Sequence, residues 1–435
     1  MKKTEKTPTK GVSKNNLWCR RLACLGSQDG CTTKLQSYSW TAAKQKIAAS
    51  LPATPQIERH NPLLYSNNLS RLQLRPTPAR LRRMAYLIGT DEAGYGPNFG
   101  PLVISATLWE APDGVGGENL FERLGHVITP ELRRSERRDS VEKGDSPHLL
   151  ERPGGCFAQM GTVPSFHAMP RVVMADSKKL YSPDKGLRHL ERGLWAALGL
   201  LDRCPRTWRG VWRELAPEAL DSMRSVPWYI DYDGPAPSAC DAAEIEPLAD
   251  LLRPGVAAAG VRLLAIRSRA IFAHQFNDLV ERHGSKGAAL SHETLALAAE
   301  MIEPLSAAPI SLVCDKHGGR NRYGALLAQH FPEWLIEVRR EGRQRSIYRF
   351  GPPQRRVEAC FCAKAESLLP AALASMASKY LRELAMQAFN EFWRRRVPDL
   401  QPTAGYPVDA KRFRADIAET QRRLNIGDRV LWRMR

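Results

Sequence analysis

Short apolar runs and longer helix-like segments alternate along the chain after residue 84. The apolar runs are bounded by glycine, proline or acidic residues, as strands are, whereas the longer segments carry apolar residues at helical spacing. The predicted strands cover residues 86–90, 102–109, 261–266, 310–314, 334–338, 346–350 and 357–362. The predicted helices cover residues 184–201, 288–302, 371–393 and 410–424. This alternation predicts an α/β fold, with a sheet covered by helices on both faces.

Three stretches do not share this pattern. Residues 1–83 mix Lys, Thr, Ser, Asn and Pro without a sustained period, which predicts a disordered extension or a misassigned translation start. Residues 111–170 are rich in glycine, proline and charge and predict an inserted loop that is partly disordered. Residues 202–260 have no place in the alternation that can be assigned, and we interpret them as a second insertion.

The net charge of +18 is less informative than its size suggests. It arises from 64 Lys and Arg against 46 Asp and Glu. Residues 1–83 alone hold 16 basic and 3 acidic residues, a net of +13, which leaves only +5 for the rest of the chain. The overall charge is therefore poor evidence that the folded part binds nucleic acid.

Cysteine usage and hydropathy exclude other classes of protein. The nine cysteines include no Cys-x-x-Cys pair, so the chain lacks the ligand spacing of a structural zinc site. Apolar runs fall short of the roughly 18 residues that make a candidate membrane span, and we recognise no secretory signal. These features predict reduced cysteines in a cytoplasmic protein that does not enter a membrane.

Carboxylates follow three of the predicted strands near the point where each strand ends. Asp91 and Glu92 come directly after the first strand, Asp315 after the fourth, and Glu366 shortly after the last. Ligands of open α/β sheets bind at the carboxyl ends of the strands, and Mg²⁺ prefers oxygen ligands. Two such ions can clamp the attacking and leaving oxygens of a phosphodiester. Taken singly, however, an acid at a strand end before glycine is more often an ordinary turn residue.

Seven segments resemble, in order, the signatures of the ribonuclease HII family, and the resemblance covers most of residues 84–413. The first reads Asp-Glu-Ala-Gly-Tyr-Gly-Pro at residues 91–97, against Asp-Glu-Ala/Val-Gly-Arg-Gly-Pro in the family. The others are Asp-Ser-Lys-Lys-Leu at 176–180, Leu-Ser-His-Glu-Thr-Leu at 290–295, Val-Cys-Asp at 313–315, Lys-Ala-Glu at 364–366, Ala-Ser-Met-Ala-Ser-Lys at 374–379 and Gly-Tyr-Pro at 405–407.

The resemblance implies a ribonuclease H-like mixed β-sheet flanked by helices, and a nuclease that depends on one or two Mg²⁺ or Mn²⁺ ions. Its expected substrate is an RNA–DNA hybrid, cleaved in the RNA strand, or DNA that contains embedded ribonucleotides. The implied catalytic and metal-binding residues are Asp91, Glu92, Asp315 and Glu366. The implied substrate contacts are Gly94, Tyr95, Gly96, Ser177, Lys178, Lys179 and Tyr406.

With this resemblance, residues 84–400 are interpreted as the catalytic domain and residues 401–435 as a C-terminal helical segment with a substrate-contact motif. Two departures from the family keep other functions open. Tyr95 replaces the arginine of a turn that contacts the nucleic-acid backbone at the RNA–DNA junction, and Glu366 replaces an aspartate. The alternatives are a nucleic-acid-binding homologue with weakened catalysis, or a metal nuclease for another structured nucleic acid.

Overall fold

The computed structural model describes residues 84–116, 119–132 and 171–434, and the predicted extension over residues 1–83 lies outside them. The strands are β1 Met84–Ala93, β2 Leu102–Pro112, β3 Ile128–Thr129, β4 Val172–Val173, β5 Arg262–Ile271, β6 Ile310–Asp315, β7 Glu337–Arg340, β8 Arg345–Phe350 and β9 Val357–Cys362. The helices are α1 Leu120–Arg123, α2 Ser177–Leu180, α3 Arg188–Leu200, α4 Trp208–Leu215, α5 Ala219–Met223, α6 Ala242–Ala258, α7 Ala273–His283, α8 Lys286–Ile302, α9 Gly324–His330, α10 Leu369–Arg394, α11 Pro407–Arg423 and α12 Asp428–Leu431.

Seven strands form one mixed sheet in the order β5-β2-β1-β6-β9-β8-β7, and β3 pairs separately with β4. The central strands β1, β6 and β9 run parallel to one another. The flanking pairs β1–β2, β2–β5, β9–β8 and β8–β7 are antiparallel. The predicted mixed α/β architecture is confirmed. The parallel centre brings the carboxyl ends of three strands to a single edge.

Helices cover both faces of this sheet, as the alternating side chains of its strands require. Leu87 and Val103 point into a core that includes α3, α4, α6 and α10. Their neighbours Ile88 and Ile104 point into a second core that includes α8 and α9. Because strands buried on both faces read as continuous apolar runs, β1 and β2 were recognisable from the sequence.

Both stretches interpreted as insertions contain secondary structure where the structure describes them. In the stretch predicted as a loop, β2 continues to Pro112, and α1 and β3 follow where residues 119–132 are described. The second stretch, residues 202–260, contains the whole of α4, α5 and α6. Trp208 and Trp212 of α4 are buried in the core beneath α10, so this segment is an integral part of the domain.

Two further properties concern the described ranges only. No helix there is long and apolar enough to span a bilayer. The cysteines at positions 204, 240, 314, 360 and 362 form no disulfide bond. The cytoplasmic location stays a prediction.

Helix α10 lies directly on β1, and Gly89 makes this contact possible. A Cβ atom at Gly89 would lie 2.2 Å from the Ala371 nitrogen and 2.3 Å from the Pro370 carbonyl carbon. The Thr107 hydroxyl on β2 donates to the Pro370 carbonyl at 2.7 Å, which fixes the first turn of the helix on the sheet. The start of α10 is therefore held against the half of β1 that leads to Asp91.

We expect Gly89→Ala to destabilise the protein by about 3 kcal/mol or more, because the added methyl group meets backbone atoms that cannot move aside. Urea unfolding measures the change. Gly234→Ala is the matched control, since a Cβ at Gly234 has no atom within 4 Å. Equal stability of the two variants would contradict the close contact between α10 and β1.

Candidate active site

The register of the parallel strands brings the four predicted acids to one edge of the sheet. Thr90 of β1 pairs with Cys314 of β6 in the last paired position of these strands, so Asp91 and Asp315 follow it side by side on neighbouring strands about 4.8 Å apart. Glu92 follows on β1, and Glu366 lies in the 3-10 turn Ala365–Ser367 just after β9. The acids therefore gather at the carboxyl ends of three adjacent parallel strands.

Burial and repulsion between acids raise the pKa values of three of these side chains, Asp91, Glu92 and Glu366. Burial and the charge of Glu92 raise the pKa of Asp91 well above its ordinary value. Burial, with the charge of Asp315, raises the pKa of Glu92 to about 7. The pKa of Glu366 is raised by burial and also by Asp315. Each shift has another acid of the set among its causes, which means that the four groups share one electrostatic environment.

The donor chemistry of the set fits a hard divalent cation. The Oδ1 atom of Asp315 is buried and accepts no hydrogen bond from the described residues, an arrangement that is costly without a positive partner. All four donors are oxygen atoms, which Mg²⁺ and Mn²⁺ prefer. Across the described ranges, however, no three His, Cys, Asp or Glu side chains are close enough together to hold a metal ion. The four acids thus lie at the same edge of the sheet, but their side chains are not arranged as the coordination shell of a metal ion.

Serines on α10 hold Asp91 in place, a role that sequence reasoning missed. Ser375 lies beside the Asp91 side chain and favours its ionised form, and the Ser378 hydroxyl donates to the Asp91 carbonyl at 3.0 Å. Ser177, predicted to contact substrate, is buried, and its hydroxyl accepts a 2.9 Å hydrogen bond from Ser375. The structure thus gives Ser177 a supporting position beneath the acids. The small residues at 374–378 were the available sequence signal for this close approach.

Two lysines lie beside the acids on the short helix α2. The Asp176 side chain caps this helix by accepting a 3.0 Å hydrogen bond from the Lys178 nitrogen. Burial alone would lower the pKa of Lys178, but Asp176, Glu366 and other acids of the site raise it overall. Lys179 is exposed on the same turn. The structure therefore brings Lys178 into the field of the acids and leaves both ammonium groups accessible to solvent.

The glycine turn after β1 contains two glycines of different character. Gly94 has a positive φ of 88°, and a Cβ there would lie 2.5 Å from the Pro101 carbonyl oxygen, so the fold itself requires glycine. Gly96 is exposed, and a Cβ there would meet only Tyr406, at 4.0 Å. The fold does not need glycine at position 96. Because Gly96 has no side chain, there is open space next to Tyr406, whose side chain is 56% exposed.

Two buried arginines hold this turn through its carbonyl groups. Arg382 of α10 donates to the Pro101 carbonyl at 2.9 Å. Arg433, near the C-terminus, donates to the carbonyls of Gly94 at 2.6 Å and Tyr95 at 3.2 Å. Because the N–H of a trans peptide points opposite to its carbonyl, the N–H groups of Tyr95 and Gly96 face away from Arg433. Sequence reasoning missed Arg433, which belongs to none of the matched segments.

The side chain of Tyr95 lies against the next parts of the chain along the edge. Its hydroxyl oxygen is 3.2 Å from the position of a Cβ at Gly318, in the turn after Asp315, and 3.5 Å from that of a Cβ at Gly287, in α8. Burial and the nearby charge of Glu92 raise its pKa. Tyr95 therefore remains a neutral, partly buried group beside the acids.

We expect Glu92→Gln to stabilise the metal-free protein at high pH. Glu92 holds its proton more tightly in the folded state, with a pKa of about 7, than at its ordinary value of 4.5. Folded protein therefore binds more protons between these values, and stability falls as pH rises through them. The amide removes this loss, which we expect to be on the order of 1–3 kcal/mol.

The measurement is the free energy of unfolding of wild type and Glu92→Gln without divalent cations, at about pH 4 and about pH 8. The variants should differ at the higher pH and agree closely at the lower one. Glu333→Gln, at an exposed carboxylate that does not belong to the four acids, serves as the control. A stabilisation by Glu92→Gln that is the same at both pH values would contradict the electrostatic origin.

Of the comparisons with known proteins, the one with solved structures found proteins similar to this chain. No family model and no curated protein match the chain. Among solved structures, it is similar to ribonuclease H2 from Pyrococcus horikoshii OT3, with 14% identity, a TM-score of 0.35, and 80% of this chain and 92% of that chain covered.

Two further structures show the same level of similarity. RNase HII from Archaeoglobus fulgidus, solved as a complex with PCNA, has 13% identity and a TM-score of 0.33, covering 80% of this chain and 94% of that one. Bst-RNase HIII in complex with Mn²⁺ has 14% identity and a TM-score of 0.30, covering 85% and 72%. Values this low do not assign the chain to a family, so its function has to be argued from its own residues.

Proposed function

We propose that this chain is a divalent-metal-dependent endonuclease that cleaves the RNA strand of RNA–DNA hybrids or DNA at embedded ribonucleotides. The observation that carries the proposal is the placement of Asp91 and Asp315 next to each other on the adjacent parallel strands β1 and β6, with Glu92 and Glu366 in the same electrostatic environment. Outside a metal-dependent site, four mutually repelling carboxylates at one edge would only destabilise the fold. We choose the ribonuclease HII reaction among those of metal-dependent nucleases because of the matched sequence segments.

In this proposal Asp91, Glu92, Asp315 and Glu366 hold Mg²⁺ or Mn²⁺. When bound, the metal supplies positive charge for the phosphoryl oxygens and for the attacking and leaving oxygens. Ser375 and Ser378 keep Asp91 oriented from the side of α10. The ammonium group of Lys178 is accessible beside the acids, where it can contact a phosphate of the bound strand.

The glycine turn supplies the proposed contact to the sugar and backbone. Gly96 leaves room for a ribose or phosphate to reach the main chain, and the N–H groups of Tyr95 and Gly96, which face away from Arg433, are suitable donors. Tyr406 borders this space with an exposed ring on which a base or sugar can pack. Because Tyr95 carries no charge, the turn offers backbone donors where the family has an additional guanidinium group.

We expect Mg²⁺- or Mn²⁺-dependent cleavage of an RNA–DNA hybrid and of DNA with one ribonucleotide, but not of plain DNA of the same sequence. Asp315→Asn should lower the rate by at least about a hundredfold, since it removes the charge of a proposed ligand. Asp221→Asn, at an exposed residue that pairs only with Arg224 among the described residues, should leave the rate unchanged. The assay is cleavage rate on the three duplexes for the wild type and both variants.

The outcomes separate the candidate functions. Equal cleavage of plain DNA would favour a metal nuclease with another substrate. Duplex binding without cleavage by the wild type, at any divalent cation concentration, would favour the binding homologue. Full activity of Asp315→Asn would overturn the assignment of the metal site.

We expect Tyr95→Arg to raise cleavage at a single embedded ribonucleotide by roughly ten- to hundredfold, because a charge-assisted hydrogen bond to phosphate contributes about 1.5–3 kcal/mol. Tyr95→Phe is the matched control, since it keeps the ring and removes only the hydroxyl group. Rates are measured at saturating metal on the same duplex. Loss of activity in Tyr95→Arg, with Tyr95→Phe unaffected, would mean that the tyrosine ring has a positive role of its own.

A further inference from the structure

The hairpin formed by β7 and β8 ends at the same edge of the sheet as the acids. Arg345, the first residue of β8, pairs with Cys362 of β9, and Cys362 pairs with Asp315 of β6. Two strand spacings, about 10 Å, therefore separate Arg345 from Asp315 along this edge. The hairpin tip, residues 340–345, is thus a direct neighbour of the candidate active site.

The tip is fastened to the strand that carries Asp315. Lys316, the next residue, donates through its Nζ atom to the Gly342 carbonyl at 2.6 Å and to Asn321 Oδ1 at 2.8 Å. The Ser346 hydroxyl donates to the Asn321 carbonyl at 2.7 Å. These bonds hold the backbone of the tip in place relative to Asp315, and its exposed side chains extend from that backbone.

Charge is distributed unevenly along the hairpin. Arg339 pairs with Glu337, and Arg349 pairs with Glu358 at 2.9 Å, so the part of the hairpin away from the tip is locally neutralised. At the tip, Arg340 and Arg343 are exposed and form no ion pair with any residue of the described ranges.

Protection of an exposed edge strand accounts for charge on β7 in general. It does not account for the difference between Arg340 and Arg343 of the tip, which have no ion-pair partner among the described residues, and Arg339 and Arg349, which are paired with acids. Exposed arginines of this kind suit the phosphates of a nucleic-acid backbone, which they can bind in bidentate fashion.

We propose that the β7–β8 tip binds the phosphodiester backbone of a double-stranded substrate through Arg340 and Arg343. This inference rests on the proposed function and names the surface that holds the duplex beside the site. In the sheet order, β6 and β9 lie between β1 and β8. The glycine turn and the tip are therefore about three strand spacings apart, roughly 14 Å, with the acids between them. A duplex lying along the edge contacts both.

The test is the salt dependence of duplex binding by the full chain. The probe is an RNA–DNA hybrid, with Ca²⁺ in place of Mg²⁺ so that binding is read without turnover. Each phosphate contact contributes about 0.9 to the slope of log K against log salt. The double variant Arg340→Gln/Arg343→Gln should reduce the slope by about 1.8 and weaken binding roughly tenfold at physiological salt.

The matched control is Arg339→Gln/Arg349→Gln, which removes the same charge from the same hairpin but from residues paired with acids. Its slope should stay close to that of the wild type. Thermal melts confirm that both double variants fold, and an equivalent plain DNA duplex shows whether the tip discriminates between duplexes.

Each outcome decides a separate question. An unchanged slope for Arg340→Gln/Arg343→Gln, with wild-type binding intact, overturns the inference and leaves the proposed function standing. Equal slope changes in the two double variants also overturn it, since only net charge then matters. The expected slope change in a chain that cleaves no duplex supports the tip as a binding surface and overturns the nuclease function. A wild type that binds no duplex overturns both.

Discussion

The parallel pairing of β1 with β6 forces two carboxylates together, and the arrangement of the site depends on that register. A slip of one residue would turn Leu87 and Ile88 to the wrong faces and expose both cores, so the apolar strands hold the register firmly. Asp91 and Asp315 therefore cannot separate to relieve their repulsion. Burial, together with the repulsion among the acids that this register enforces, raises the pKa values of Asp91, Glu92 and Glu366.

Arginines near the site are arranged so that they do not relieve that repulsion. Arg382 and Arg433 are buried beneath the glycine turn, and the hydrogen bonds that they donate within the described ranges go to backbone carbonyls. A guanidinium paired with Asp91 or Asp315 would lower the pKa of that acid and occupy its oxygens. The acids thus retain free lone pairs, while the arginines shape the neighbouring turn.

The sequence predicted the acids and the turn because their local pattern is strong. Strands β1 and β6 are buried on both faces and therefore appear in the sequence as apolar runs. Each run leads directly to its carboxylate. Helix α6 was missed because Pro247 and Pro254 lie inside it, and proline within a helical pattern normally indicates that the helix ends. Arg433 was missed because its function depends on a contact with Gly94, 339 residues earlier in the chain.

The position of Ser177 shows a different limit. Its segment matches a signature of the family, but sequence cannot tell whether a polar residue in such a segment faces a ligand or supports another residue. The structure decides this through Ser375, which contacts both Ser177 and Asp91. Polar residues of one motif can therefore divide between contact and support, and burial separates the two roles.

The electrostatic layout along the edge says more about a partner than the total charge does. The part of the chain after residue 83 has a net charge of only +5, which by itself indicates no particular ligand. Along the edge, however, donor N–H groups at the glycine turn come first, then the acids, and then the arginines of the β7–β8 tip. A polyanion bound along this edge contacts positive groups on both sides of the four acids. The acids themselves attract it only when a bound cation neutralises their charge. The same acids that repel an unaccompanied phosphate thereby make binding of the backbone and binding of the metal depend on each other.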